Sequence, residues 1–341
     1  MKVDGGLGQS PDIEKIAAQA RTQEEAGYDA VWTAETSHDP FLPIAVAAGH
    51  TERLEFGTGI AVAFARNPML LANLGWDLQA LTKGRFHLGL GTQIKPHITK
   101  RFSMEWSKPA ARMREMVEAI RAIWDTWENG EPLNHRGEFY QHRLMTPFFQ
   151  PDKADLEGFG PPKIWLAAVG ELMSQTAGEV CDGIICHGFT TEKYLREVTI
   201  PNVAKGRERA GKSMDDFMIS GPFFVVSGQN DEEIDKAAAA TRQQIAFYGS
   251  TPAYAKVFEL HGWEGLHPKL NTLSKKGDWI EMGRLIDDEV LNTFAVVGEP
   301  DTIAPELTRR YGDVVDRISF YAPGQSDISS WRTVMEALKA G

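Results

Sequence analysis

"SPDIEKIAAQARTQEEAGYDAVWTAE", residues 10–35, decides the fold. Ser10 has the side chain of an N-cap, Pro11 has the fixed φ of a first helical residue, and Gly27 ends an apolar pattern of period 3.6. "DAVWTA" (29–34) follows at once with the β-branched and aromatic residues of a strand. Ahead of the helix stands another short strand signal, "KVDGGL" (2–7). Strand, helix, strand in so short a span implies parallel pairing, because parallel neighbours need a crossover that is usually a helix.

The unit then repeats. "LEFGTGIAV" (54–62), "FHLGLG" (86–91), "KIWLAAV" (163–169), "DGIICHG" (182–188), "FMISGPFFVV" (217–226) and "RISFYA" (317–322) are further strand signals, with helical patterns between them. The clearest helix carries Met113, Met116, Val117, Ile120, Trp124 and Trp127 on one face, a stripe that reads as core packing. Eight strand signals alternating with helices predict an α/β fold, a TIM (β/α)8 barrel with insertion segments, as a single domain over residues 1–341. The insertions are expected at about 130–160, where "GEFYQHRLMTPFFQP" (137–151) reads as a small hairpin, and at about 249–292. A doubly wound open sheet is the alternative. For it, "GLGTQI" (89–94) supplies GxG but lacks the third glycine of a dinucleotide fingerprint.

With 42% hydrophobic and 24% charged residues, the chain can bury a real core. Its 47 acidic against 36 basic residues leave a net charge of −11, which opposes association with nucleic acid or anionic lipid. No signal-peptide pattern opens the chain, and no apolar run approaches the ~18 residues of a membrane span, so a soluble cytoplasmic protein is expected. Cys181 and Cys186 match no redox or zinc spacing, and the 9 His include no HExxH, so buried thiols and no metal are expected.

In such a barrel, function sits at the C-terminal ends of the strands. Glycine inside a strand marks a bulge or a place where another group must come close, and Gly57 and Gly59 stand inside the third strand signal. His38 and Asp39, after the second strand, are two adjacent titratable groups that can shift each other's pKa and act as donor or acid. They also suit a plainer role, with His38 and Asp39 capping a helix that starts at about Pro40. "AAVGELMSQTAGEV" (167–180) ends a strand in small residues, turns at Gly170 and starts a helix whose free N–H groups suit a phosphate, unless Gly170 merely ends the strand. The Glu171 carboxylate would repel a phosphate unless it turns away. His187, at the end of the sixth strand, is either a pocket group or a hydrogen-bonded structural residue.

"ETSHDPF" (35–41), "FGTGIAVAFARNP" (56–68), "GRFHLGLGT" (84–92), and "AAVGE" with "AGEVCDGII" (167–185), in this order and spacing, resemble the luciferase-like monooxygenase superfamily, closest to its coenzyme F420-dependent branch. The resemblance runs from "KVDGGL" to "FAVVGEPDTIAPEL" (294–307) and "DRISFYAPG" (316–324). It implies an oxidoreductase that moves a hydride between the deazaflavin C5 and a small organic substrate, and a homodimer. It also implies a non-prolyl cis peptide between Gly59 and Ile60, behind the cofactor ring; a trans β-bulge is the alternative. Gly57, Gly59, Ile60, Ala61, Thr92 and Gln93 are then the expected ring contacts, and Val169, Gly170, Glu171 and Leu172 the phosphate contacts.

His38, Asp39 and Gln93 are the catalytic candidates. The family's sugar-phosphate dehydrogenases have Asp-His where this chain has His38-Asp39, and a glutamate where it has Ile94. The missing carboxylate argues against a sugar phosphate and leaves His38 or Gln93 as proton or hydrogen-bond donor. Lys95, Lys100, Arg101, Lys108, Arg112 and Arg114 are a reasonable landing place for an anionic cofactor tail or else an ordinary solvated loop. Phe258, His261, Trp263 and Trp279 suggest an aromatic lid, favouring a hydrophobic alcohol, ketone or enone. Two other functions remain: an FMN-dependent monooxygenase served by a separate flavin reductase, and a non-catalytic flavin-binding barrel.

Overall fold

The computed structural model describes residues 1–8, 10–324 and 331–340. The chain begins with β1 (Lys2–Gly6), α1 (Ile13–Ala26), β2 (Ala30–Thr33) and α2 (Leu42–Ala48), followed by β3 (Glu55–Thr58) and β4 (Ala61–Val62). Next come α3 (Pro68–Leu81), β5 (Phe86–Gly91), α4 (Pro109–Asn129), the hairpin β6 (His135–Arg136) and β7 (Gln141–His142), and β8 (Lys163–Ala168). After α5 (Glu171–Val180) and β9 (Gly183–Cys186) lie α6 (Glu192–Tyr194), α7 (Ile200–Arg209), β10 (Met218–Ser227) and α8 (Asp231–Gly249). Four shorter helices follow, α9 (Ala255–Leu260), α10 (Leu266–Lys276), α11 (Trp279–Arg284) and α12 (Asp288–Phe294). The chain closes with β11 (Ala295–Gly298), α13 (Pro300–Tyr311), β12 (Arg317–Tyr321) and α14 (Arg332–Ala340).

The parallel strands run β9, β10, β12, β1, β2, β3, β5, β8, and β8 pairs back to β9, so the sheet closes into the eight-stranded barrel. The expected third strand is split: β3 and β4 both pair β5, with Gly59 and Ile60 displaced between them. Both faces of the strands are covered, and apolar residues of the barrel and its helices form one continuous core. The stripe on α4 is buried as its spacing requires, from Met113 to Trp127.

Local details differ from the sequence reading for identifiable reasons. Asp12, not Ser10, caps α1, accepting from the Glu14 and Lys15 amides, because a carboxylate two residues closer reaches both; Ser10 Oγ accepts from the Asp12 amide instead. Gly27 stops the helix in the left-handed region, at φ 93°. α2 starts at Leu42 rather than at about Pro40. β11 is an additional strand, hidden in "FAVVGEP" because it is only four residues long; it pairs with the end of β10 outside the barrel. Residues 249–292 fold into helices over a second apolar cluster that includes Phe258, Leu270 and Phe294. Among the described residues no helix is long and apolar enough to cross a membrane.

Candidate active site

The sheet order gathers residues that are far apart in sequence. β2, β3, β5 and β8 are neighbours, so His38 and Asp39, Gly59 to Ala61, Thr92 and Gln93, and Val169 to Leu172 all lie along one half of the C-terminal rim. On that rim the peptide between Gly59 and Ile60 is cis. Three hydrogen bonds hold the displaced residues: Gly59 N to Thr33 O at 2.6 Å, Glu35 N to Ile60 O at 3.1 Å, and Val62 N to Glu35 Oε2 at 2.7 Å. Arg66 then neutralises the Glu35 carboxylate at 2.6 Å. The backbone is thus clamped from both sides by one buried glutamate, while Gly59 and Ile60 stay half-exposed and Ala61 is buried.

Gly57 and Gly59 both face Trp32, at different distances. A Cβ on Gly57 would lie 2.3 Å from the Trp32 ring, so the close approach here is an indole from the neighbouring strand. A Cβ on Gly59 would lie 3.3 Å from the Trp32 Cβ, an approach that is tight but less severe. Trp32 in turn stacks on His87 at 6.0 Å and meets Trp165 edge-on at 5.6 Å, and together the three rings fill the barrel below the bulge.

Under those rings lies a charged floor. Arg317 grips Asp4 through two nitrogens, at 2.7 and 2.8 Å, and reaches Glu55 at 2.6 Å; Trp32 Nε1 donates to Asp4 at 2.8 Å. Burial raises the Asp4 carboxyl and Arg317 opposes that; burial is also the largest single effect on Glu55, but His87, Arg317 and Lys2 together outweigh it and hold that carboxyl well below the usual range. A cavity of about 530 Å³ opens above this floor, with Asp4, Trp32, Gly59, Ser220, Ser319 and Tyr321 among its walls.

Beside the bulge, Gly170 precedes α5 with φ 80° and ψ 167°, and a Cβ there would meet nothing within 4 Å. The first N–H groups of α5 therefore face open space, which suits an anion. Glu171 turns toward Lys256 of α9, at 3.2 Å, and Leu172 is exposed. The sequence profile of the luciferase-like monooxygenases matches residues 1–317 of this barrel. The chain belongs to the luciferase-like monooxygenase family.

Two relatives frame this family member. An uncharacterized protein of Mycobacterium tuberculosis is 52% identical over 332 residues, 97% of this chain and 96% of that protein. The 5,10-methylenetetrahydromethanopterin reductase of Archaeoglobus fulgidus is 27% identical over 308 residues, 87% of this chain and 86% of the reductase. Two solved structures share the fold. The coenzyme F420 dependent tetrahydromethanopterin reductase from Methanopyrus kandleri superposes with a TM-score of 0.80 at 19% identity, covering 99% of this chain and 98% of that one. The FMN complex of the oxygenating constituent of 3,6-diketocamphane monooxygenase from Pseudomonas putida gives 0.67 at 17%, covering 99% and 96%.

The polar candidates of this luciferase-like barrel are unequally available. Asp39 Oδ1 accepts the Phe41 and Leu42 amides and Oδ2 meets Arg66, so its carboxylate is occupied, although the N-cap position of α2 is Phe41 and not Asp39. Gln93 sits at φ 59°, and its Oε1 accepts from the Ile94 amide; Thr92 donates to the Gln93 carbonyl. His38 is exposed. The basic loop is largely committed elsewhere: Lys108 pairs with Glu138, Arg114 with Glu179, and Arg112 packs on Phe64 and binds Tyr140. The expected lid aromatics pack mostly on their own insertion. Phe258 is buried in the second cluster, Trp263 lies against it, and His261 bonds Thr191, so the cavity takes its aromatic wall from Trp32, Phe320, Tyr321 and Trp331.

His187 Nδ1 accepts the Phe189 amide at 2.9 Å, and its ring stacks on Tyr254 at 4.6 Å. Burial lowers its pKa to about 4, so the folded protein keeps it neutral. An unfolded chain binds a proton there at about pH 6.5, so stability falls as pH drops from about 6.5 toward 4. His187→Gln is expected to remove up to about 3 kcal/mol of that acid sensitivity, read as urea midpoints compared at neutral and mildly acid pH. Equal slopes in the two proteins would refute this.

Trp32, Ser220, Ser319 and Arg317 escaped the sequence reading. Their signal was available in the polar residues at alternate positions of β1 (Lys2, Asp4) and β12 (Arg317, Ser319, Tyr321), inside strands that helices cover. Strands buried on both faces normally run apolar throughout, so such alternation marks a polar barrel interior.

Proposed function

We propose that the protein is an F420-dependent oxidoreductase that transfers a hydride between the deazaflavin C5 and a small hydrophobic alcohol, ketone or enone. The observation that carries the reading is the placement, on one side of the rim with only β5 between their strands, of a clamped bulge at Gly59 and Ile60 and an open helix N-terminus at Gly170. A planar ring with a phosphate tail fits that pair. The sequence similarity to a methylenetetrahydromethanopterin reductase, together with the fold shared with an F420 dependent reductase, supports F420 as the ring.

Each residue then has a task. Gly59 and Ile60, backed by the buried Ala61, press on one face of the ring and hold the reacting carbon at contact distance from substrate, which is where such a site gains most of its rate. Glu35 and Arg66 keep that segment in place. Val169, Gly170, Glu171 and Leu172 offer their amides to the phosphate, with the Glu171 carboxylate kept aside by Lys256. His38, Thr92 and Gln93 are polar groups of the rim, and Gly57 serves the site through Trp32 beneath it. When bound, the deazaflavin supplies a two-electron hydride carrier.

An FMN-dependent monooxygenase is the second reading, favoured by the fold shared with the FMN-bound oxygenating constituent from Pseudomonas putida. Fluorescence titration of the purified protein with F420 and, separately, FMN separates the two. The expected result is F420 binding at least about tenfold tighter, a difference of about 1.4 kcal/mol. Tighter FMN binding would assign the protein to the monooxygenases, and binding of neither would remove both readings.

A further inference from the structure

The cavity wall opposite the clamped bulge is built from β10 and β12, and it ends in a pair of phenols. Tyr321, the last residue of β12, lines the cavity, and its hydroxyl lies 2.7 Å from the hydroxyl of Tyr248 on α8. The Tyr321 ring is fixed on both sides. It stacks on Phe224 at 4.6 Å, and Gly188 leaves it space, since a Cβ there would come within 2.7 Å of the ring. Tyr248 is fixed by His187, whose ring meets it edge-on at 4.7 Å.

Two phenols have two protons and need only one for the contact between them. If Tyr248 donates to Tyr321, the Tyr321 proton is left to point at whatever fills the cavity. Burial, followed by the contact with Tyr248, raises the Tyr321 phenol well above its ordinary value, so it is protonated throughout the neutral range. On the opposite rim Asp39 and the Gln93 oxygen are already committed to backbone amides.

We propose that Tyr321 is the proton donor of the hydride transfer and that Tyr248 is the positioning residue that recharges it. This rests on reading the site as an F420 hydride-transfer centre. In the reducing direction, the hydride joins the carbonyl carbon, or the β-carbon of an enone, and the π electrons move onto oxygen. The Tyr321 O–H bond breaks and its proton goes to that oxygen. Tyr248 passes its own proton to Tyr321 and regains one from water, to which its half-exposed side chain has access. The reduced deazaflavin is the reductant and loses two electrons.

The test uses the full chain as wild type, Tyr321→Phe and Tyr248→Phe. Three readouts are taken: F420 affinity by fluorescence quenching, tyrosinate absorbance against pH, and single-turnover oxidation of reduced F420 by cyclohexanone, 2-cyclohexenone and benzaldehyde. Expected are unchanged affinities, loss of one high-pH tyrosine ionisation in Tyr321→Phe, and a rate in that variant reduced about 100-fold, as for a lost general acid. Tyr248→Phe should lose less rate and shift the pH profile.

A wild-type rate and pH profile in Tyr321→Phe would overturn the donor and leave the F420 reading intact. Failure of the wild type to bind F420 overturns that reading and this one with it. F420 binding without oxidation by any of the three carbonyl compounds overturns the substrate class and the donor. Should Tyr321→Phe lose the cofactor, Tyr248→Phe decides, since an unaltered rate and profile there removes the relay.

Discussion

Arg317→Leu is expected to destabilise the protein by about 3–5 kcal/mol, the cost of stripping one partner from a buried ion pair. Arg317 is fully buried and answers two carboxylates, Asp4 through a two-pronged contact and Glu55 through its remaining nitrogen. Without it Asp4 remains buried with only the Trp32 indole N–H, and burial pushes its carboxyl further up. Acidification should therefore narrow the gap between variant and wild type, because protonated Asp4 no longer needs a cation. Urea unfolding at neutral pH, repeated at mildly acid pH, measures both effects. A variant with the wild-type midpoint at neutral pH would mean that the floor tolerates an uncompensated carboxylate, contrary to this account.

Gly89→Ala is the second large effect, expected at about 3 kcal/mol, the upper end for overpacking. A Cβ at this position would sit 1.8 Å from the Thr58 carbonyl oxygen, and backbone has no rotamer with which to escape. Thr58 is tied to the same glycine twice, its hydroxyl donating to Gly89 O at 2.7 Å and accepting from Gly89 N at 2.9 Å. The strands must part just before the bulge, so cofactor affinity should fall together with stability. Urea midpoints and F420 titration on one preparation would show it. An unchanged affinity in a destabilised protein would separate the bulge from the strand beneath it.

Most of the barrel was legible because each unit carries its own local signals: β-branched runs, a helical period of apolar residues, and turn glycines. A bulge or a close approach at Gly57 and Gly59 was legible too, since glycine packs nothing inside a strand. Which group takes the space was not. At Gly57 the neighbour is Trp32, a residue of another strand, and only the register Trp32 to Gly57 brings them together. The polar alternation of β1 and β12 could be read, but the pairing of Asp4 with Arg317 could not, because the two meet only after the sheet closes. The second insertion misled in a different way. Its aromatics were visible as a group, but an insertion with enough apolar residues builds its own core before it covers anyone else's.

The contact between Asp4 and Arg317 spans 313 residues, and this has a consequence for how the protein is made. At synthesis rates of ~5–20 residues per second, β1 leaves the ribosome roughly 15–60 s before β12 exists to receive it. Throughout that interval one edge of β1 is unpaired and its carboxylate has no cation. Exposed strand edges invite pairing with other chains. β12 therefore brings both the missing strand and the missing charge, so the open edge and the unanswered carboxylate of β1 are closed in the same step.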